Sequence, residues 1–365
     1  MRPSDHPYAA ALAQFGRIGP MHLKKLLPAR GTFQAIWQAS RGDLIAGGCE
    51  ANLADAFVAA RHGIIPEKIW EKCESSGITL LAQDDPHYPK LLLETYDAPA
   101  FLFARGLIAA EDPFPFAVVG TRKASAYGRQ ITYEIIPELV QQGVTVVSGM
   151  ALGIDATAHT ATLDSHGRTI AVLGSGIDDA AIYPSHNRQL AKRIISEGGL
   201  ILSEYAPHAL PLKHHFPYRN RIIAGMTMGV LVVEADIESG SLITARHSLD
   251  ENREVFAIPG DITRSGSAGP NNLIKMGAKV VTSAQDILDA LHLQTGKIFL
   301  KTREFIPNSR EESALLPLIT REPKHIDELV RASGLQAASV SATLTLMEMK
   351  GSVRNLGSMM YVRSR

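Results

Sequence analysis

The chain reads Val144-Thr-Val-Val-Ser148 and then, one helix length later, Thr169-Ile-Ala-Val-Leu173. Both are short, nearly continuous apolar runs, which are typical of strands buried on both faces of a parallel sheet. The same rhythm of short apolar runs and amphipathic segments begins near residue 115. Further strand candidates lie at residues 116–120, 200–203, 229–234, 254–258 and 278–281. The pattern predicts an α/β fold with a Rossmann-like, doubly wound and mostly parallel sheet.

A helical module is expected on each side of this domain, which we place at residues 79–295. Residues 1–78 predict short helices of SAM-like or helix-hairpin-helix type, because a glycine turn from Gly16 to Pro20 precedes apolar residues at helical spacing. Such a turn can hold a phosphate through backbone N–H groups, or it can serve packing alone, and we favour packing.

After a linker at residues 296–310, residues 311–365 predict three helices and a hairpin, which is the order of a winged helix. The third helix is rich in small residues and carries no Arg or Lys before Lys350. Helices that read a DNA groove usually bring cations to it. We therefore expect this module to pack or to bind protein rather than to read a DNA sequence.

Composition limits the class of protein. The 365 residues have a formal net charge of +0, 45% are hydrophobic, and no apolar run approaches the roughly 20 residues that span a bilayer. The N-terminus lacks the order of an export signal, and Cys49 and Cys73 have no paired spacing. These features predict a cytoplasmic protein whose nucleic-acid surface, if it has one, is a confined patch.

One stretch, Pro211-Leu-Lys-His-His-Phe-Pro-Tyr-Arg-Asn-Arg221, is locally basic and contains no acidic residue. Its cations, Lys213, Arg219 and Arg221, alternate with Phe216 and Tyr218. Cations that meet phosphates beside rings that stack on unpaired bases suit single-stranded nucleic acid. An ordinary loop with buried rings explains the same residues, and the sequence leaves both interpretations open.

Three loops fall at the carboxyl ends of predicted strands, where ligands bind in open parallel sheets. The first contains Gly120, Thr121 and Arg122, of which the glycine lets a phosphate approach and the arginine can bind its oxygens. The second is a glycine turn, Ser148-Gly-Met-Ala-Leu-Gly-Ile-Asp155. The third contains Ser239, Gly240 and Ser241. Together they predict an anion-binding edge.

Other kinds of site are not predicted. Leu173-Gly-Ser-Gly-Ile-Asp178 lacks the full dinucleotide fingerprint, and no phosphate-binding loop of the nucleotide-hydrolase type occurs, so we expect no cofactor and no ATP hydrolysis. Asp155 and His159 are spaced for one helix face, and we interpret the pair as local hydrogen bonding. His208, His214 and His215 lack a matching carboxylate set, which disfavours a metal site.

The chain resembles the DNA-processing protein A family, also called DprA or Smf. The resemblance covers residues ~84–282 and is specific, whereas the flanking modules match in type and order only. The motifs that carry it are Ala117-Val-Val-Gly-Thr-Arg122, Ser148-Gly-Met-Ala-Leu-Gly-Ile-Asp-Ala-Thr-Ala-His159, Tyr183-Pro-x-x-Asn187, Phe216-Pro-Tyr-Arg-Asn-Arg-Ile-Ile-Ala-Gly225, Ser239-Gly-Ser-Leu-Ile-Thr-Ala245 and Arg253-Glu-Val-Phe-Ala-Ile-Pro-Gly260.

This resemblance implies a protein that is not an enzyme, binds and shields incoming single-stranded DNA, and helps load a RecA-type recombinase in natural transformation. It also implies a homodimer formed through the Rossmann-like domains. Family DNA contacts correspond to Arg122, Lys213 and Phe216. The adjoining motif contains Arg219, Asn220 and Arg221. Either arginine can instead lock its loop through Glu234 or Glu204, and the sequence does not separate these roles.

The alternative is a nucleotide-binding enzyme of the phosphoribohydrolase type, which has a related fold. Its Pro-Gly-Gly-x-Gly-Thr-x-x-Glu motif is absent, and the corresponding region reads Val233-Glu-Ala-Asp-Ile-Glu-Ser-Gly-Ser241. Without that carboxylate arrangement, cleavage of a glycosidic bond has no evident general acid or base.

Overall fold

The computed structural model describes residues 1–110, 112–293, 309–320, 322–349, 352–357 and 359–363. The predicted linker at 296–310 lies outside these residues except for its last two positions. Within the described parts of the chain, no helix is both long and apolar enough to span a membrane.

The N-terminal region is helical, as its sequence predicts. Gly16 ends the first helix with a positive φ of 72°, which favours glycine. The ring of Phe33 meets that of Phe101 edge to face at 5.3 Å, so the helices share one apolar core with the adjoining sheet. The helices are α1 (His6–Phe15), α2 (Pro20–Arg30), α3 (Phe33–Gln38), α4 (Arg41–Ala46), α5 (Ala51–Ala60) and α6 (Pro66–Ser75).

A nine-stranded sheet forms the centre of the molecule. Its strands are β1 (Ile78–Ala82), β2 (Phe101–Gly106), β3 (Phe114–Val119), β4 (Val144–Ser148), β5 (Thr169–Leu173), β6 (Leu200–Ser203), β7 (Gly229–Val232), β8 (Glu254–Ala257) and β9 (Lys279–Val280). They lie in the order β1-β2-β6-β5-β4-β3-β7-β8-β9. Strands β3 to β9 pair in parallel, whereas β1 and β2 add an antiparallel edge. The predicted α/β class with a mostly parallel sheet is confirmed.

The strand order places a crevice at the centre of this sheet. From β3 the chain moves outward through β4, β5 and β6, and it then returns to the other side of β3 as β7. Connections that leave in opposite directions open a crevice beyond the carboxyl ends of the strands, and this is where open α/β sheets bind ligands.

Helices cover both faces of the sheet. They are α7 (Lys90–Leu93), α8 (Ala126–Gln141), α9 (Ile154–Asp164), α10 (Arg188–Ser196), α11 (His215–Gly225), α12 (Ser241–Asp250), α13 (Ser265–Lys275) and α14 (Ala284–Ala290). Apolar residues of α8, α9 and α14 build the core on one face, and those of α11, α12 and α13 build the core on the other. Short 3-10 helices occur at Pro3–Asp5, Arg61–Gly63 and Ser185–Asn187.

The C-terminal module has the expected winged-helix arrangement with its own core. Its helices are α15 (Arg310–Leu315), α16 (Ile326–Ser333) and α17 (Ala337–Met349). The predicted hairpin is β11 (Val353–Asn355) and β12 (Met360–Arg363). A third strand, β10 (Lys324–His325), pairs with β12 and was not predicted.

Candidate nucleic-acid interface

A cavity of about 440 Å³ lies at the crevice between the loops that follow β3 and β7. We call it the edge cavity. Ten of the eleven residues predicted to bind DNA line it, and Arg221 is the exception. The ten are Gly120, Thr121, Arg122, Lys213, Phe216, Arg219, Asn220, Ser239, Gly240 and Ser241.

The turn after β3 is held in place by contacts with Glu234 and Ile154. The Thr121 N–H donates to the Glu234 carbonyl oxygen at 2.6 Å. A Cβ at Gly120 would lie 2.6 Å from Ile154 Cγ1, so only glycine allows this packing. The Arg122 side chain is exposed at the mouth of the edge cavity. The turn is therefore rigid, and its cation faces solvent.

The Glu234 carboxylate is hydrogen-bonded to Ser125 of the neighbouring loop rather than paired with an arginine. Its buried carboxylate accepts from the Ser125 N–H at 2.9 Å and from the Ser125 hydroxyl at 2.5 Å. Ser125 also caps α8 by accepting from the Gly128 N–H. Of the two carboxylates considered for Arg219 and Arg221, Glu234 is thus engaged by the serine that begins α8.

Lys213 and Phe216 reach the edge cavity from the start of α11. Lys213 is exposed on the preceding loop, and Phe216 is half-buried in the first turn of the helix. The Arg122 guanidinium carbon lies 5.6 Å from the centroid of the Phe216 ring. The Tyr183 ring lies at a similar centroid distance, 5.6 Å, with a tilt of 48°. Beneath the ring, a Cβ at Gly174 would come within 2.9 Å of Phe216 Cδ1.

Arg219 lines the edge cavity but is used by the protein itself. It is buried, and its guanidinium donates to the carbonyl oxygens of Gly149 (2.7 Å) and Val172. Burial lowers the pKa of Arg219 to about 10, while the nearby Asp155 carboxylate acts in the opposite direction. Its position corresponds to the locking role, because it ties the loop after β4 to α11.

Arg221 lies outside the edge cavity. Its Nη2 donates to Glu204 Oε2 at 2.5 Å, its Nη1 donates to the Asp97 carbonyl oxygen at 3.0 Å, and its guanidinium carbon lies 4.3 Å from the Tyr218 ring centroid. The side chain is 5% exposed. These contacts and this burial favour a role for Arg221 in pairing with Glu204 over a phosphate contact.

Polar groups form the wall of the edge cavity opposite Arg122, at the loop after β7. The Asn220 side-chain amide donates to the Gly240 carbonyl oxygen at 3.1 Å, which joins α11 to the start of α12. The Ser239 and Ser241 hydroxyls lie 2.8 Å apart. This wall also carries two exposed carboxylates, Asp236 and Glu238. The edge cavity therefore has a cationic side and an acidic side.

Asp155 and His159 make local hydrogen bonds, as predicted. Asp155 Oδ2 accepts from the N–H groups of Gly149 (3.1 Å) and Ala151 (3.3 Å). The Thr169 hydroxyl donates to the Val146 carbonyl oxygen, so it accepts from His159 Nδ1 at 2.7 Å. Burial lowers the pKa of His159 to about 3. In the described part of the chain, no group of three or more His, Cys, Asp or Glu residues is placed to hold a metal ion.

Sequence reasoning did not assign three further groups at this edge. Tyr183 was noted only as part of a motif, yet its ring is 45% exposed beside Phe216. Lys123 adds a second exposed cation next to Arg122. Asp236 and Glu238 bring negative charge to the opposite rim. Only Lys123 had a usable signal, since it directly follows Arg122 in the first loop.

Comparison with known families gives two matches along the chain. Residues 79–292 match the family described as DNA recombination-mediator protein A. Residues 302–358 match the DprA winged helix domain. Protein Smf of Synechocystis sp. is 34% identical over 406 residues, an alignment that covers 100% of both chains. The similarity therefore extends over the Rossmann-like domain and both flanking modules.

Two solved structures are similar in fold and sequence. The X-ray structure of DNA processing protein A from Streptococcus pneumoniae has a TM-score of 0.68 and 37% identity, covering 78% of this chain and 97% of that one. The protein from Helicobacter pylori has a TM-score of 0.52 and 30% identity, covering 59% and 95%. The latter structure was described for its single-stranded DNA binding mode.

Proposed function

This chain belongs to the DNA recombination-mediator protein A family, and on that premise we propose that it binds single-stranded DNA. We propose further that it protects incoming DNA and helps load a RecA-type recombinase in natural transformation. The roles in recombinase loading and in natural transformation are proposed from family resemblance alone. DNA binding is also supported by the geometry of the edge cavity.

A single arrangement carries the proposal of DNA binding. Arg122 comes from the loop after β3, Lys213 and Phe216 come from the start of α11 and the loop before it, and all three line the same edge cavity. The two cations can neutralise phosphates, and the half-buried ring offers a face for an unpaired base, a contact worth ~1–3 kcal/mol per base. A duplex keeps its bases stacked on one another, so it can use the cations but not the ring.

We assign no catalytic step to this site. The comparisons do not favour the phosphoribohydrolase alternative, and the motif of that enzyme class is absent from the sequence. The buried carboxylates Asp155 and Glu234 accept hydrogen bonds from the loops that they hold. Release of free base from a nucleoside monophosphate by the purified protein would contradict this assignment.

We also infer a homodimer through the Rossmann-like domains. Strand β9 is one of the two edge strands of the nine-stranded sheet, and both of its residues are exposed. Two apolar side chains in the chain segment between β8 and β9 are exposed to solvent, namely Ile262 (91% exposed) and Met276 (71%). Sedimentation velocity over a range of concentrations tests this inference, and a monomer at every concentration would contradict it.

Fluorescence anisotropy with one oligonucleotide, presented as a single strand and as a duplex, tests the proposed function. We expect tighter binding to the single strand and little dependence on base composition. Equal affinity for both forms would show that base stacking contributes nothing. Failure of both forms to bind would contradict the proposal as a whole.

A further inference from the structure

The last residue of β11 and the two residues that follow it, which we call the wing tip (residues 355–357), lie against α8 of the Rossmann-like domain. Arg129 Nε donates to the Leu356 carbonyl oxygen at 3.1 Å, and Leu356 is 5% exposed. The Arg354 guanidinium carbon lies 4.0 Å from the centroid of the Tyr133 ring. A hydrogen bond, a buried leucine and a cation–π contact therefore seat the wing on α8.

The same arginine connects the wing tip to the DNA-binding loop. Arg129 Nη1 donates to the Ala124 carbonyl oxygen at 2.6 Å, two residues after Arg122. Because one guanidinium holds both segments, the wing tip and the loop after β3 keep a defined relative position.

A second cavity, of about 550 Å³, opens between the wing tip and the loop and helices beside it. We call it the wing cleft. Its lining includes Arg122, Lys123 and Arg129 together with the three residues of the wing tip. Arg122 and Lys123 line the edge cavity as well. The two exposed cations thus form the boundary shared by the two cavities.

Charge sets the direction in which a bound strand would leave the edge cavity. Asp236 and Glu238 lie in its wall opposite Arg122 and repel phosphates there. Among the described residues that line the wing cleft there is no Asp or Glu, whereas three are cationic. Exposed charges act over a Debye length of about 10 Å at 0.1 M salt, so the path over Arg122 and Lys123 is the favoured one.

We propose that the wing cleft is a second nucleic-acid subsite, which takes the sugar–phosphate backbone of the DNA segment leaving the edge cavity. This inference rests on the proposed function and extends it to the winged helix. The module then meets DNA through its wing tip. The exposed face of α17, which presents Ala338, Ser341 and Ala342, brings no cation to DNA.

Oligothymidylates of increasing length, titrated by anisotropy against the full-length protein, test this subsite. The shortest strands report on the edge cavity, and we expect affinity to rise again once a strand is long enough to enter the wing cleft. Asn355→Asp places a carboxylate in the cleft at constant size, and Arg354→Ala removes the contact with Tyr133. Each should reduce the ratio of long-strand to short-strand affinity about 2- to 5-fold, the range for one surface charge interaction.

Arg331→Ala is the matched control, because it changes the charge by the same amount as Asn355→Asp on exposed α16, outside the wing cleft. It should keep the wild-type ratio. A ratio that is unchanged in both wing variants, Asn355→Asp and Arg354→Ala, overturns the inference. Tighter binding of long strands by either variant also overturns it, because the wing would then obstruct the DNA. If the wild-type protein binds DNA but its affinity does not rise with the length of the oligothymidylate, the subsite is rejected and the proposed function is retained. No binding at any length rejects the proposed function as well.

Discussion

The guanidinium carbon of Arg122 lies 5.6 Å from the centroid of the Phe216 ring, although the two residues follow different strands, β3 and β6. The spacing places a cation beside an aromatic face within the reach of one nucleotide. One residue can therefore meet a phosphate while the other stacks on the attached base.

Removal of either exposed cation should weaken the dependence of DNA binding on salt. Each neutralised phosphate adds ~0.7 to the slope of log affinity against log salt for single strands, so Arg122→Ala and Lys213→Ala should each reduce the slope by about that amount. Anisotropy titrations at several salt concentrations measure this. Lys192→Ala, an exposed cation on α10, serves as the control. If the control matches the two site variants, the slope reflects net charge rather than contacts.

Removal of the Phe216 ring should affect DNA binding differently from removal of a cation. Phe216→Ala should weaken binding of single strands by ~1–3 kcal/mol and leave the salt slope nearly unchanged, because stacking releases no counterions. Phe216→Leu keeps an apolar side chain without a flat face and should lose most of the same affinity. Full affinity in the leucine variant would mean that the site uses general apolar contact instead of stacking.

Gly174 should affect DNA binding because it allows the Phe216 ring to lie close to the backbone. A Cβ at this residue would lie 2.9 Å from Phe216 Cδ1 and 3.3 Å from Phe216 Cα. Gly174→Ala should therefore displace Phe216 and weaken single-strand binding, but by less than Phe216→Ala does. Gly63→Ala, where a Cβ meets nothing within 4 Å, is the matched control. Wild-type affinity in Gly174→Ala would show that the exact position of the ring is unimportant.

His159 should make the stability of the fold depend on pH. Its pKa falls from the ordinary 6.5 to about 3 on burial. As the pH drops from 6.5 toward 3, the unfolded chain takes up a proton that the folded chain does not. The free energy of unfolding should therefore decrease with falling pH, by up to about 1.4 kcal/mol per pH unit from this residue.

His159→Gln should remove that contribution, which urea unfolding between pH 5 and 6.5 can measure. Because the substitution also alters a buried hydrogen bond, the informative quantity is the slope with pH rather than the stability at one pH. His62→Gln, at an exposed position, accounts for the loss of a histidine as such. Parallel slopes for wild type and His159→Gln would contradict the buried neutral imidazole.

Much of the fold follows from local sequence. Runs such as residues 144–148 and 169–173 became strands with the predicted bounds, because buried parallel strands need continuous apolar residues. The antiparallel pair of β1 and β2 was missed. Their partners, for example Ile78 and Arg105, are joined by a long connection that contains a helix, so no tight turn marks the pairing.

The sequence by itself determined the α/β class, the order of the three modules and the loops that gather at the edge of the sheet. These depend on apolar periodicity and on glycine turns, which are local properties. Only the tertiary structure decided which cation of the basic stretch faces solvent. Lys213 stays exposed, whereas Arg219 and Arg221 are buried against backbone carbonyls and Glu204. It also decided that the wing lies beside Arg122, because burial and contact between distant segments arise from packing that no local pattern records.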